Sequence, residues 1–166
     1  HVFPKAQLDD AWLLAQGIRF GKGLQLINIL RDLPRDLRQG RCYIPADQLS
    51  RHGLEIAELL KPENEPRFRP LYAGYLTSAN AHLAAGWAYT LALPWTCPRV
   101  RLACAWPILI GARTLNRLKI EPVLDPKHRV KVTRKEVWQD ILGSILLYPT
   151  PWWQKLAKLE LTKVPE

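Results

Sequence analysis

The sequence predicts an all-α fold, and three observations support that prediction. Glycine is sparse, with 9 residues, and the 14 prolines fall largely between long apolar runs. Apolar runs that are interrupted by proline are typical of helices joined by loops. A length of 166 residues with 48% hydrophobic content is enough for one domain with a core. We therefore expect one mostly helical unit.

The first helix is predicted to begin just after Pro4 and to run through Arg31. Pro34 removes a backbone donor and disfavours helix at the residue before it, so we expect a kink or break there. Three glycines within 17–23 indicate a close backbone approach or a bend. The expected apolar face consists of Leu8, Trp12, Ala15, Ile18, Leu24 and Ile27.

Prolines and polar connectors divide the rest of the chain. A loop with Gly40 and Pro45 comes first, and a proline-containing connector follows the short helix after it. The predicted helices are 54–60, 67–92, 99–119 and 135–147, with a terminal helix after the prolines at 149 and 151.

A polar stripe runs along the first helix, at residue spacings of three, four and four. Residues three and four apart share a face of a helix, and apolar residues occupy most of the remaining positions. A helix that is apolar nearly all round is buried, so its polar stripe must find partners or line a cavity. The stripe consists of Gln25, Asn28, Asp32 and Asp36.

The two carboxylates of the stripe have a spacing that suits a divalent cation. Asp32 and Asp36 lie four residues apart, which places their Cβ atoms roughly 5 to 6 Å from each other. Mg²⁺ is typically held by one or two carboxylates together with phosphate oxygens and water. Nearby guanidinium groups are suitable donors to phosphate. They belong to Arg31, Arg35, Arg38 and Arg41.

The stripe therefore predicts a docking surface for a diphosphate and magnesium. The same spacing also fits an ordinary ion-pair cluster at a helix end, in which Asp32 and Asp36 pair with the arginines. Gln25 and Asn28 would then be satisfied amides of the core. Spacing alone leaves both interpretations open.

The net charge of +9 favours an acidic partner, such as a phosphorylated small molecule, nucleic acid or an anionic membrane surface. Because no helix-turn-helix or zinc-finger pattern occurs, and no basic helical face is interleaved with aromatic residues, we expect no nucleic-acid partner. The three cysteines have no C-x-x-C spacing and are odd in number, which fits a cytoplasmic setting.

The terminal segment mixes tryptophan and lysine in a way that suits a membrane interface. It contains Trp152 and Trp153, followed by Lys155, Lys158 and Lys163. No stretch of about 18 uninterrupted apolar residues occurs, so we expect no membrane-spanning helix. Peripheral membrane contact is one interpretation of this segment, and a packed terminal helix is the other.

The run from position 25 to 45 reads QLINILRDLPRDLRQGRCYIP. It resembles the second aspartate-rich region of the squalene/phytoene synthase family, in which Q-x-x-N-x-x-R-D-x-x-x-D precedes a basic stretch and G-R-x-Y-x-P. The resemblance is strongest over 21–49. The matching positions are Gln25, Asn28, Arg31, Asp32, Asp36, Gly40, Arg41, Tyr43 and Pro45.

This resemblance implies an isoprenoid synthase type helical bundle that surrounds an apolar cavity. The implied reaction joins two prenyl diphosphates, farnesyl or geranylgeranyl diphosphate, head to head in a magnesium-dependent manner. It leads to squalene, phytoene, dehydrosqualene or hydroxysqualene, and the sequence does not select among them. NADPH is compatible with the family, but no feature of the sequence indicates it.

The resemblance also implies roles for individual residues. Asp32 and Asp36 would bind Mg²⁺, while Gln25 and Asn28 would orient the metal-bound diphosphate. Arg31 would steady the aspartates or the phosphate.

Three further residues have less specific assignments. Arg41 and Tyr43 match the motif, and they either contact the substrate or hold the loop after the helix. Arg129, in the run HRVKV, is similar to a basic segment that lies near the substrate diphosphate in the family. A solvated basic loop is the alternative for Arg129.

Two departures from the family pattern shape the expected function. The first aspartate-rich motif is missing, because Asp9 and Asp10 are adjacent and fit a solvated helix start, and methionine is absent. We therefore expect residues 1–166 to be the C-terminal part of a single isoprenoid synthase domain, inactive without its N-terminal half. Arg35 stands where relatives commonly carry an acid. This favours an alternative, a non-catalytic assembly factor, although both aspartates are retained.

Overall fold

The computed structural model describes residues 9–161, except the side chains of 158–160, and confirms the all-α prediction because no strand occurs in that range. The α-helices are α1 (Asp10–Arg38), α2 (Ala46–Arg51), α3 (Glu65–Ala92), α4 (Pro98–Ile120), α5 (Arg134–Leu147) and α6 (Leu156–Leu161). Short 3₁₀ helices cover Ile56–Leu60, Pro62–Asn64 and Pro151–Lys155.

Helix α1 begins with a side-chain cap. The backbone N–H of Trp12 donates a hydrogen bond to Oδ1 of Asp9, at 3.1 Å, which is the usual way to satisfy a free amide at a helix start. Asp9 and Asp10 therefore form the helix start that the sequence predicts. The predicted helix from just after Pro4 through Arg31 is wrong at both ends, because Asp9 is an extended N-cap residue and α1 spans Asp10–Arg38. Residues 1–8 lie outside the described residues.

Of the kink or break predicted at Pro34, the break is wrong, because α1 continues through this residue to Arg38. A proline in a helix interior costs about 3 kcal/mol. The flanking Leu33 and Leu37 are buried, with 0% and 6% of their surface exposed. Burying a leucine side chain contributes about 1.5–3 kcal/mol, so these two contacts are large enough to offset the cost.

The expected apolar face of α1 is wrong in its N-terminal half. Trp12, Ala15 and Ile18 are exposed, and Leu8 lies outside the described residues. The face that packs against α3 and α4 is displaced towards the C-terminal half of the helix. Its buried members are Gly23, Ile27, Leu30, Leu33 and Leu37.

The core lies between α1, α3 and α4, and the α1–α3 contact is the most extensive of the described chain. Gly23 permits this close approach, because a Cβ atom placed there would lie 3.0 Å from Cβ of His82 on α3. The hydroxyl of Tyr72, which is fully buried, donates a hydrogen bond to the carbonyl of Leu30 at 3.1 Å. Of the two interpretations of the glycines, close approach therefore holds at Gly23.

The predictions for the long helices α3, α4 and α5 are confirmed to within two residues at each end. The prediction for the segment between α1 and α3 is less accurate. It contains helix α2, which was expected to be loop, and the expected helix 54–60 is a 3₁₀ helix. Leu49 on α2 is fully buried, so a single apolar anchor holds a helix of only six residues in place.

The terminal segment packs against the bundle. The ring of Trp153 lies between those of Trp87 and Tyr148, with centroids 5.0 and 5.1 Å away, and only 2% of Trp153 is exposed. The indole N–H of Trp87 donates to the carbonyl of Gln154 at 3.1 Å. None of the helices within residues 9–161 has the length and hydropathy needed to cross a bilayer.

Candidate functional site

The polar stripe of α1 lies on an open face of the described chain, on the other side of the helix from its buried residues. Gln25 and Asn28 are exposed, while Asp32 and Asp36 are half-buried. The expectation that this helix is buried all round is therefore wrong, and so is the alternative that the two amides belong to the core. The reason is that only one side of α1 is buried, and the polar stripe lies on the other side.

The same face continues towards the start of α1 as an apolar surface. Leu14 and Ile18 are 66% and 51% exposed, and spacings of three and four residues connect them to Gln25 and Asp32. At about 1.5 Å rise per residue, Leu14 and Asp32 lie about 27 Å apart along the axis. The face is thus apolar at one end and acidic at the other.

A groove of about 360 Å³ lies at the apolar end, between α1 and α3. Sequence reasoning missed this groove because Ile18 was assigned to the core. The signal that could have identified it is the spacing of the polar stripe, because the same steps of three and four residues lead back from Gln25 to Ile18 and Leu14. The groove is lined by Leu13, Leu14, Gly17, Ile18 and Tyr89.

At the acidic end, Arg31 and Asp32 form a two-point ion pair. Nε of Arg31 lies 3.1 Å from Oδ1 of Asp32, and Nη2 lies 2.8 Å from Oδ2. These hydrogen bonds hold the pKa of Asp32 below its ordinary value, against the opposing effect of burial. The positive charges of Arg31, Arg129 and Arg35 lower the same pKa further.

Arg129 is far from α1 in sequence, yet its charge acts on the Asp32 carboxylate. Its side chain is exposed. The run HRVKV at 128–132, called the basic tract below, therefore lies near enough to Asp32 for the charge of Arg129 to lower the pKa of this carboxylate.

Hydrogen bonds hold the basic tract on both sides of Arg129. Nη2 of Arg117 lies 2.9 Å from Oε1 of Glu136, and Nη1 donates to the carbonyl of Lys131 at 2.7 Å. Nε2 of His128 lies 2.7 Å from Oε2 of Glu121. The tract is therefore anchored to the end of α4 and to the start of α5.

The end of α1 turns back on itself through Gly40. This residue has a φ of +74°, a left-handed conformation that favours glycine. Its N–H donates to the carbonyl of Leu37 at 3.0 Å, and the N–H of Arg41 donates to the carbonyl of Asp36 at 2.8 Å, which is a Schellman cap. Backbone bonds of Gly40 and Arg41 therefore close the turn that precedes Tyr43.

Arg41 and Tyr43 follow this turn as exposed side chains. Among the described residues, neither side chain makes a hydrogen bond or an ion pair. The backbone alone accounts for the turn, so nothing within residues 9–161 requires these two side chains to hold it.

The donor chemistry of the stripe fits Mg²⁺ shared with an anionic ligand. In the part of the chain that the structure describes, no group of three or more His, Cys, Asp or Glu side chains is placed to hold a metal ion. Asp32 and Asp36 offer only carboxylate oxygens, which suit a hard cation. Because Mg²⁺ completes its shell with phosphate oxygens and water, two carboxylates on one face are a sufficient protein contribution.

These features define an all-α protein in which one open helix face is apolar at one end and acidic at the other. The sequence model of the squalene/phytoene synthase family matches residues 3–136. The chain therefore belongs to the squalene/phytoene synthase family, as the motif in α1 predicts.

Several curated relatives are similar to this chain. A phytoene synthase of Arthrospira platensis is 41% identical over 152 residues, which is 90% of this chain and 41% of the relative. A phytoene synthase of Thermus thermophilus is 39% identical over 67 residues, covering 40% of this chain and 23% of that protein. A presqualene diphosphate synthase of Zymomonas mobilis is 37% identical over 65 residues, covering 39% and 22%.

The chain thus spans less than half the length of these relatives. No solved structure matches it significantly.

Proposed function

We propose that this chain carries the second metal- and diphosphate-binding region of a transferase that joins two prenyl diphosphates head to head. Farnesyl or geranylgeranyl diphosphate is the proposed substrate. The observation that carries the proposal is the open face of α1, which is apolar at Leu14 and Ile18 and acidic at Asp32 and Asp36. The names of the relatives, phytoene synthase and presqualene diphosphate synthase, support the reaction class.

Asp32 and Asp36 would hold Mg²⁺ together with diphosphate oxygens, and Gln25 and Asn28 would orient the bound diphosphate through their amides. When bound, Mg²⁺ stabilises the negative charge of the leaving diphosphate. Arg31 keeps the Asp32 carboxylate ionised and oriented through its two hydrogen bonds.

Other side chains supply positive charge and donors beside the same end of the stripe. Arg129 contributes charge at Asp32, and preorganised charge of this kind stabilises a leaving anion without reorganisation. Arg41 and Tyr43 are exposed just beyond the end of α1. We assign both of them to diphosphate binding.

The apolar end of α1 would receive the prenyl chain. The groove formed by Leu14, Ile18 and Tyr89 offers hydrocarbon and aromatic surface. Such a surface would cover one side of a prenyl tail. A long apolar molecule with a diphosphate at one end matches the polarity of the α1 face from Leu14 to Asp32.

We further propose that the first acidic motif of the site comes from a segment outside these 166 residues. The described acidic end of α1 offers one pair of carboxylates, whereas the family resemblance implies two aspartate-rich motifs. On this proposal, the chain alone binds a prenyl diphosphate but does not turn it over.

A non-catalytic assembly factor is the second candidate, favoured by the charges around Asp32. Arg31 forms an ion pair with this carboxylate, and Arg35 adds a second positive charge near it. Both charges reduce the attraction of the site for a cation. The retained Asp36, which has no ion-pair partner within residues 9–161, favours the enzyme.

Calorimetric titration with a non-hydrolysable farnesyl diphosphate analogue, with and without Mg²⁺, tests the proposal. The unmodified chain is compared with an Asp32→Asn, Asp36→Asn variant. The control is Asp47→Asn, Glu63→Gln, which removes the same charge from exposed positions outside α1. We expect magnesium-dependent binding that weakens at least about tenfold in the first variant, because metal-mediated contacts are lost, and is retained in the control. A folded chain without a magnesium effect contradicts the proposed site.

A further inference from the structure

Pro34 lies inside α1, between the two candidate metal ligands Asp32 and Asp36. In a regular α-helix, the N–H of residue 34 would donate a hydrogen bond to the carbonyl of Leu30, four residues earlier. Proline has no N–H, and its ring crowds that same carbonyl. The carbonyl of Leu30 therefore lacks its helical donor, in the part of α1 that carries both aspartates.

Water cannot supply this donor, because Leu30 is fully buried, with 0% of its surface exposed. A buried carbonyl that accepts no hydrogen bond is costly, and nearly all such groups in native proteins have a partner. The burial of Leu33 and Leu37 offsets the cost of the proline, but their side chains are apolar and donate no hydrogen bond. A donor from a neighbouring helix meets this need.

Tyr72 on α3 is placed to be that donor. Its hydroxyl oxygen lies 3.1 Å from the carbonyl oxygen of Leu30, and its side chain is fully buried. The ring of Phe68 packs on the tyrosine ring, with centroids 5.4 Å apart, and the guanidinium carbon of Arg69 lies 5.7 Å from the tyrosine centroid. Burial raises the pKa of Tyr72 above its ordinary value, so the hydroxyl keeps the proton that it donates.

The direction of α1 beyond Pro34 decides where Asp36 lies. Sharp kinks in helices occur mostly at proline, and a kink at position 34 would turn Asp36 away from the face that carries Asp32. The helix instead continues to Arg38, and both aspartates are half-buried on the open face. Asp32 precedes the proline, so Asp36 is the ligand whose position depends on this turn.

We propose that Tyr72 is a positioning residue of the diphosphate site, because its hydroxyl replaces the backbone donor that Pro34 lacks and thereby keeps Asp36 on the same face as Asp32. The inference rests on the proposed function, in which these two carboxylates hold Mg²⁺. Tyr72 acts through the carbonyl of Leu30 rather than on the metal. Groups that orient metal ligands in this indirect way commonly change metal affinity when they are removed.

Amide hydrogen exchange of the 166-residue chain tests the proposal without a ligand. Tyr72→Phe removes the hydroxyl and keeps the ring. The matched control is Tyr75→Phe, the same substitution on the same helix, which removes a hydroxyl that donates to Oε1 of Gln48 at 2.5 Å. Relative to the amides of 24–28, those of 35–38 should exchange at least about fivefold faster in Tyr72→Phe, because the turn at Pro34 opens locally. The control should show no such difference.

Pro34→Ala provides the rescue. It restores a backbone N–H that can donate to the carbonyl of Leu30, so the hydroxyl of Tyr72 is no longer needed at this carbonyl. Adding Tyr72→Phe to Pro34→Ala should therefore change the exchange of 35–38 by less than about twofold, since the two substitutions act on one hydrogen bond and are not additive. A role of Tyr72 in core packing alone would give the same effect with either residue at position 34.

Calorimetric titration with the farnesyl diphosphate analogue tests the effect on the site. Tyr72→Phe should weaken the magnesium-dependent binding at least about fivefold, because Asp36 is displaced from Asp32. Binding without Mg²⁺ should be unchanged, since the apolar groove is not altered. Tyr75→Phe, and the double variant Pro34→Ala, Tyr72→Phe, should stay within about twofold of the parent chain. Circular dichroism establishes that each variant is folded.

Two results would overturn the inference while the proposed function stands. One is an equal effect of Tyr72→Phe on hydrogen exchange in the parent and in Pro34→Ala, which would mean that the hydroxyl does not replace the missing donor. The other is magnesium-dependent binding that persists unchanged in a folded Tyr72→Phe variant. A parent chain without any magnesium effect contradicts the proposed function itself, and the role at the metal site fails with it. The exchange measurement then still supports or contradicts the replacement of the donor.

Discussion

Arg31 donates two hydrogen bonds to the carboxylate of Asp32, its neighbour in sequence, with Nε and Nη2 at 3.1 and 2.8 Å from the two oxygens. Consecutive residues of a helix do not face each other, so the long arginine side chain must fold back to reach the acid. The first aspartate of the motif therefore has its own counter-ion on the same helix.

Replacing Arg31 with glutamine should raise the pKa of Asp32 towards its ordinary value, because the hydrogen bonds and charge that lower it are removed. Carboxyl NMR titration measures this change directly. Since the folded-state pKa is the lower one, the pair stabilises the fold above about pH 4, and this contribution is lost as pH falls through the lowered pKa. Arg38→Gln, on the same helix, is the control. An Asp32 pKa that is unchanged in Arg31→Gln would contradict the ion pair.

Replacing Arg129 with glutamine should raise the pKa of Asp32 as well, but by less than Arg31→Gln. Arg129 acts on this carboxylate through its charge alone, whereas Arg31 also donates hydrogen bonds. The same titration measures the effect, and Arg134→Gln, a few residues further along, is the matched control. Equal titration of Asp32 in the parent and in Arg129→Gln would mean that the basic tract is not beside the acidic end of α1.

Replacing Asp140 with asparagine should destabilise the fold by about 1–3 kcal/mol. The carboxylate is only 8% exposed and pairs with Arg113 across α4 and α5, and removing its charge weakens a partly buried, hydrogen-bonded ion pair. Urea unfolding measures the loss. The control is Asp47→Asn, which removes an exposed pair with Arg51 and should cost about 0–1 kcal/mol. Similar losses in the two variants would argue against a structural role for the Arg113 pair.

Replacing His82 with glutamine should make stability less sensitive to mild acid. Burial lowers the pKa of His82, and the charges of Arg19 and Lys22 lower it further. The unfolded chain therefore binds the proton more readily, so the free energy of unfolding falls as pH decreases below about 6.5. Urea unfolding at about pH 7.5 and about pH 5.5 should show a smaller loss in the variant. An identical loss in both proteins would contradict this prediction.

Replacing Gly23 with alanine should lower the melting temperature relative to Gly21→Ala. A methyl group at position 23 would lie 3.0 Å from Cβ of His82 and 3.2 Å from the backbone nitrogen of Leu83, whereas one at position 21 meets nothing within 4 Å. Both substitutions gain about 1 kcal/mol of helix propensity, and only the first disturbs the α1–α3 contact. Equal melting temperatures would show that this contact is not tight.

The sequence was sufficient to predict features that depend on local chemistry. Proline positions and apolar runs predict α3, α4 and α5 nearly to the residue, because helix ends respond to nearby breakers and caps. The spacing of the stripe from Gln25 to Asp36 follows directly from helical periodicity. The order of residues in the same run identifies the family.

Other features were decided only by the tertiary structure, because they depend on contacts between residues far apart in sequence. Burial of Leu33 and Leu37 allows α1 to continue past Pro34. The way in which α1 packs on α3 leaves Ile18 outside the core. No local pattern predicts either outcome, since each depends on which surfaces meet across helices.

The two ends of the candidate site illustrate the same difference. The sequence by itself determined that Asp32 and Asp36 share a helix face. Only the fold decided that Arg129 lies close enough to act on Asp32 and that Arg113 pairs with Asp140 between α4 and α5. Periodicity is a property of one segment, whereas electrostatic proximity and exposure depend on how the segments pack.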